Sequence, residues 1–245
     1  SLNDLDNVLY EIGNEIGAYS TEWQEHFIRF IHQYENRKPK QHPVGMTFQY
    51  ARDAKQRGSN TNLFQSSADW ISPNPDWGAF NFRDNPPAAD GRKVILTDTD
   101  HLWGIGGDVA WVWKSYLRGL NPLFMDPYKQ SVLQEGTDAK WEPVRRALGV
   151  TRRLADRVNL AKMTPHGELA GSGYCLANPG KEYLVYLPAG GAVTINLSAA
   201  AGKFQVEWVH PIEEKVTVAE PISGGAKRTL TAPFTAEAVA HLWSK

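Results

Sequence analysis

Two textures of apolar and polar positions divide the chain near residue 163. In the first, short apolar runs stop abruptly on polar residues and give way to helical periodicity. Val8–Ile12 reads as a buried strand that passes through Gly13 and stops on Asn14 and Glu15. Trp23, Phe27, Phe30, Ile31 and Tyr34 then recur at the spacing of an amphipathic helix, with Ser20 or Thr21 as N-cap and Pro39 as the stop. His42–Phe48 predicts a second strand with Gln49 and Tyr50 at its tip, and residues 51–68 a polar loop with room for a short helix. Ala68–Ser72 predicts a third strand, ending at Pro73.

Residues 73–91 hold four prolines and read as a long loop carrying Trp77, Phe80 and Phe82, aromatics expected either to cover a site or to pin the loop down. Arg92–His101 predicts the fourth strand, whose apolar core Val94–Leu96 breaks into Asp98, Asp100 and His101. A helix is expected over 108–117, a fifth strand over Asn121–Asp126, and a helix over Trp141–Leu160. Strand–helix alternation of this kind implies an α/β fold with a parallel sheet. A full β/α barrel takes about 250 residues, so five units over 1–162 predict a partial, truncated TIM-type barrel.

Beyond that point the pattern becomes one of short β-type runs: 173–177, 182–187, 192–197, 203–209, 215–218, 229–231 and 238–243. Asn178-Pro179-Gly180, Pro188-Ala189-Gly190-Gly191 and Ser223-Gly224-Gly225 punctuate them. Residues 163–245 therefore read as a small antiparallel β-sandwich domain.

Composition narrows the function classes. A net charge of −1 gives no footprint for nucleic acid or an anionic membrane. No apolar run approaches the roughly eighteen residues of a membrane span, and a mean hydropathy of −0.44 is that of a soluble chain. The lone Cys175, in a strand-like run, is expected to be buried and structural, and it excludes an intrachain disulfide. The start at Ser1, almost directly before a strand, reads as a processed or trimmed N-terminus, so a secreted or periplasmic location stays open. Nine tryptophans, seven of them before residue 142, give a slight push toward sugar binding.

In a β/α barrel the C-terminal strand tips carry the chemistry. That makes Glu15 a catalytic candidate, with Asp98 or Asp100 as its partner, since the two share strand parity. Asn14, Gln49, Tyr50, Trp70, His101, Trp103 and Asp126 are candidate substrate contacts. The same residues carry a resemblance. Leu9-Tyr-Glu-Ile-Gly-Asn-Glu15 resembles the fourth strand of clan A glycoside hydrolases, which are (β/α)8 barrels. Val94-Ile-Leu-Thr-Asp98 stands where that clan has its seventh strand. The segments Thr97–Gly107 and Gly119–Tyr128 are similar to motifs of uncharacterised glycosidases with a C-terminal β-domain named for collagen binding, to which 163–245 is similar.

The resemblance implies a glycosidase that retains anomeric configuration and acts in exo fashion on β-galactosides or β-glucosides. Glu15 would be the acid/base and Asp98, or Asp100, the nucleophile. Two departures stand out: the clan has Glu at the seventh strand tip, and its first three strands have no counterpart here. No cofactor or metal is called for. Two other readings remain: a metal-dependent hydrolase using Asp98, Asp100 and His101, and a non-catalytic carbohydrate- or matrix-binding protein. A partial barrel leaves sheet edges and an apolar interior uncovered, which predicts a homo-oligomer that covers them.

Overall fold

Five short strands pair side by side in sequence order, all parallel: β1 (Tyr10–Glu11), β2 (Val44–Thr47), β3 (Trp70–Ser72), β4 (Val94–Asp98) and β5 (Asn121–Leu123). The computed structural model describes residues 2–75, 81–126 and 138–244; Trp77, Phe80 and Tyr128 lie outside the described residues. Among the described residues five α-helices connect and follow the strands: α1 (Thr21–Glu35), α2 (Asn60–Gln65), α3 (Thr99–Trp103), α4 (Val109–Leu117) and α5 (Glu142–Ala155).

One face of the sheet packs under these helices, where Val44, Met46, Ile71 and Ile95 join Ile28, Leu117 and Val150 in one buried cluster. Strand alternation turns Glu11, Gly45, Thr47, Trp70, Ser72, Val94, Leu96 and Asp98 to the other face. Along it Thr47 donates to Glu11 at 2.9 Å, and Gly45 leaves room for the Trp70 indole, which a Cβ would meet at 1.9 Å. On this second face Thr47, Trp70 and Ser72 are buried, while its β4–β5 end is open, with Val94 54% and Leu123 49% exposed. Parallel sheets are ordinarily covered on both faces.

Several strands are shorter than the pattern predicts. β1 is an edge strand, and its pairing stops after Tyr10↔Val44 and Glu11↔Gly45, so the expected Val8–Ile12 shrinks to two residues. The Arg92–His101 run does not continue as strand: Asp98 turns the chain into α3. In the fifth strand Pro122 removes a backbone donor, tolerable at an edge, and pairing ends at Leu123 rather than Asp126.

Helix α1 has the expected period, yet its aromatic ridge faces outward. The buried residues are Gln24, Ile28 and Glu35, whereas Trp23 is 47%, Phe30 52% and Tyr34 56% exposed. Rings from Trp23 to Tyr34 touch in series, with centroids 4.7, 6.3 and 6.3 Å apart. Glu25 and His32 hold the opposite flank of the helix to Ser67 and Asp69.

The buried end of α1 forms an ion pair with the start of β2. Glu35 accepts from the His42 backbone N–H at 2.6 Å and lies 2.8 Å from the His42 ring. Burial pushes the Glu35 carboxyl up, but hydrogen bonds from His42 and Asn3 outweigh it and hold the group below its ordinary value. The Leu5 carbonyl, then Glu35, holds the His42 imidazolium above its ordinary value. The Glu35 contribution is complete above its ordinary 4.5 and lost in acid; the His42 contribution is complete below 6.5 and lost as pH rises. The thermal advantage of the native protein over His42→Asn is therefore expected to peak between pH 4.5 and 6.5 and to shrink on either side. Unfolding curves across pH check this; a difference that does not vary with pH counts against it.

From Thr164 onward the chain is antiparallel. The strands are β6 (Thr164–Pro165), β7 (Cys175–Asn178), β8 (Glu182–Leu187), β9 (Ala192–Asn196), β10 (Lys203–Val209), β11 (Val216–Ser223), β12 (Lys227–Thr231) and β13 (Ala238–Ser244). Six form one sheet in the order β11-β10-β13-β8-β7-β6, while β12 and β9 form a two-stranded ribbon. Val193, Ile195 and Leu230 of the ribbon share a core with Val185, Phe204 and Val206 of the sheet, so the second layer of the expected sandwich is only two strands wide. Cys175 is fully buried there, and burial pushes its thiol up to about 12. The core of the first part does not stop at residue 163: Leu184, Tyr186, Val209 and Val239 belong to the same cluster as Trp113. Trp113 stacks on Tyr186 at 6.1 Å and donates to the Pro211 carbonyl at 3.2 Å.

Candidate functional site

Three strand ends converge at the C-terminal edge of the parallel sheet. After β1 the chain passes Gly13 and Asn14 and adopts φ 51° at Glu15, in the left-handed region, with the side chain half-buried. At the end of β4, Asp98 accepts from the Asp100 backbone N–H at 3.0 Å and so caps α3. That cap fixes the first turn of α3, which carries Asp100 and His101. The Thr99 hydroxyl accepts from the Met125 backbone N–H at 2.9 Å and ties the turn to the segment after β5. At the end of β3, the Ser72 hydroxyl lies 2.7 Å from His101 Nδ1, both residues being buried. His101 Nε2 is turned toward Asn14 Oδ1 at 3.4 Å.

These constraints bring Glu15, Asp100 and His101 together, with one ligand-type atom of each within 4.8 Å of the others. Asp98 is not a member of this group. Its carboxyl is raised above the ordinary value, chiefly by burial, with the Asp100 N–H and His101 pulling it down and the Asp100 charge pushing it up. The site thus offers two half-buried carboxylates and an imidazole. Such a set can act as a general acid with a nucleophile or base, or hold a divalent cation.

The other sequence-predicted residues are placed as follows. Gln49 is buried; it donates to Thr21 at 2.8 Å and accepts from Asn62 at 3.0 Å, which commits its amide to holding α1 and α2. Asp126 is held by a two-pronged pair with Arg145, at 2.6 and 2.7 Å, and so anchors α5 rather than facing a substrate. Trp70 begins β3, at the far end from the tip, and fills the space over Gly45. Tyr50 is 37% exposed under the Arg57 guanidinium. Trp103 ends α3, half-buried against Trp111 and below Arg83. Neither is in the carboxylate group. Ser72, which is not among the sequence-predicted residues although it ends a strand as they do, is the one that touches the His101 ring most closely, at 2.7 Å.

No family model matches the sequence, and no curated protein matches it. Solved structures do. A glycoside hydrolase is matched over 100% of this chain and 66% of its own, with TM-score 0.63 and 10% identity. A family 5 glycoside hydrolase from Bacteroides vulgatus is matched over 99% and 63%, with TM-score 0.65 and 13% identity. The chain spans slightly under two-thirds of the length of these structures. At such identity the likeness is one of fold: a five-stranded parallel sheet followed by antiparallel sheets, arranged as in glycoside hydrolases.

Proposed function

We propose that this chain is the catalytic part of a retaining glycoside hydrolase acting in exo fashion on β-linked galactosides or glucosides. Asp100, rather than Asp98, is the nucleophile and Glu15 the acid/base. The observation that carries this reading is the Glu15–Asp100 approach within 4.8 Å. Retaining enzymes hold their carboxyl groups about 5–5.5 Å apart, inverting ones about 6.5–9.5 Å. In the first step Asp100 attacks the anomeric carbon as Glu15 gives its proton to the departing oxygen. In the second, Glu15 takes a proton from water, and the water oxygen displaces Asp100. A panel of nitrophenyl glycosides, assayed on the native chain and on Glu15→Gln and Asp100→Asn, tests the assignment. The same three donors favour a second reading, a metal-dependent hydrolase, which requires that activity be lost to a chelator and restored by a divalent cation.

The assembly follows from the bare surfaces. The parallel sheet is a segment of a β/α barrel, residues 1–162, carrying a C-terminal β-domain, and a second copy of the chain covers α1. Trp23, Phe27, Phe30 and Tyr34 are spaced 4-3-4, the seam spacing of paired helices, and identical stripes can close on each other about a two-fold axis. Sedimentation is expected to give a dimer that Trp23→Glu with Phe30→Glu converts to monomer. A native chain that stays monomeric at high concentration overturns the pairing.

A further inference from the structure

Two contacts bear on which ring nitrogen of His101 carries its proton. Asn14 Oδ1 lies 3.4 Å from Nε2, an arrangement that suits a protonated Nε2. Nδ1 is then the bare one, and the Ser72 hydroxyl, 2.7 Å away, donates to it. Ser72 is 2% and His101 8% exposed, so water does not readily replace the Ser72 hydroxyl at Nδ1, whereas Asn14, on the other side, is exposed. We propose that Ser72 is a positioning residue that locks His101 as the neutral Nε2–H tautomer. The imidazole is thereby a hydrogen-bond donor beside the two carboxylates and not a metal ligand.

The consequence is chemical. A cation can be bound only through a ring nitrogen lone pair, and the sole lone pair of this tautomer is occupied by the Ser72 hydroxyl. An Nε2–H group instead holds the Asn14 amide in place beside the two carboxylates. With Nε2–H facing its carbonyl oxygen, Asn14 keeps its NH2 group for a substrate hydroxyl. Ser72 lies on β3, so the tautomer is set by a strand that contributes no carboxylate to the site.

Long-range proton–nitrogen NMR of His101 in the native chain reads the tautomer directly, without any substrate. The expected result is a protonated Nε2 and a bare Nδ1. In Ser72→Ala the two tautomers are expected to mix, and Ser72→Thr, which keeps the hydroxyl, restores the native pattern. A native ring protonated on Nδ1, a Ser72→Ala ring unchanged from native, or a His101 nitrogen signal displaced by one equivalent of Zn2+ overturns the proposal. The kinetic arm alone rests on the glycosidase reading. There Ser72→Ala is expected to lower kcat about tenfold, the factor of roughly one neutral hydrogen bond, with KM little changed and Ser72→Thr recovering. A chain that shows the tautomer switch yet hydrolyses no glycoside supports the role of Ser72 and sinks the glycosidase reading. Loss confined to KM overturns the positioning role.

Discussion

Glu15→Gln is expected to lower kcat on the best nitrophenyl glycoside by roughly 10²–10⁴-fold, the usual worth of a positioned general acid or base. Asp100→Asn is expected to lose at least as much, because an amide cannot form the glycosyl ester through which retention proceeds. Gln and Asn preserve shape and most hydrogen bonds, so neither loss can be charged to misfolding if melting curves coincide with the native one. Asp98→Asn is the informative control. Asn caps helices as well as Asp does, so α3 should stay formed and activity nearly native. If instead Asp98→Asn is inactive and Asp100→Asn is not, the nucleophile is Asp98. If all three variants remain active, the carboxylate mechanism fails.

Trp113→Ala is expected to cost about 3–5 kcal/mol, as removal of a fully buried indole does. The side chain is fully buried, its ring stacks on Tyr186 and its N–H satisfies the Pro211 carbonyl, so one substitution removes packing and leaves a buried acceptor unpaired. Total stabilities run to about 5–15 kcal/mol, so the loss is roughly a fifth or more of what holds the chain. Trp113 joins the helix layer to the antiparallel sheet. Urea unfolding should therefore show a lower midpoint and, once the two parts uncouple, a second transition. A midpoint within error of the native protein would mean that the shared core is not what holds them together.

Much of this fold is written in local patterns. The helix expected over 108–117 forms as α4, and Asp108 caps it by accepting from the Trp111 backbone N–H at 2.7 Å. The apolar core Val94–Leu96 marks β4, although the pattern carries the strand on to His101 where the structure ends it at Asp98. What local pattern cannot supply is the identity of neighbours. The α1 ridge of Trp23, Phe27, Phe30 and Tyr34 has the period of a buried face, yet the residues that pack inward are Gln24 and Ile28, because the orientation of the helix is set by the Glu35–His42 pair and the Glu25 and His32 contacts. The site shows the same division. Glu15, Asp100 and His101 are readable as polar residues at strand ends. Their grouping without Asp98 is not, since it depends on α3 beginning at Thr99, and five residues are too few to leave a helical period in the sequence. Gln49 and Asp126 looked equally suited to a substrate; only Thr21, Asn62 and Arg145, distant in sequence, show that they are already engaged.

The backbone at Glu15 has a price that its side chain does not show. A residue with a Cβ held at φ 51° gives up on the order of 1–2 kcal/mol relative to glycine in the same place. A chain shaped for stability alone would put glycine there. A carboxylate in that position carries a backbone cost that glycine would not, as the exposed Glu214 at φ 58° also does. On the proposed reading, a lineage that lost the activity would drift toward a more stable protein with no acid at the end of its first strand.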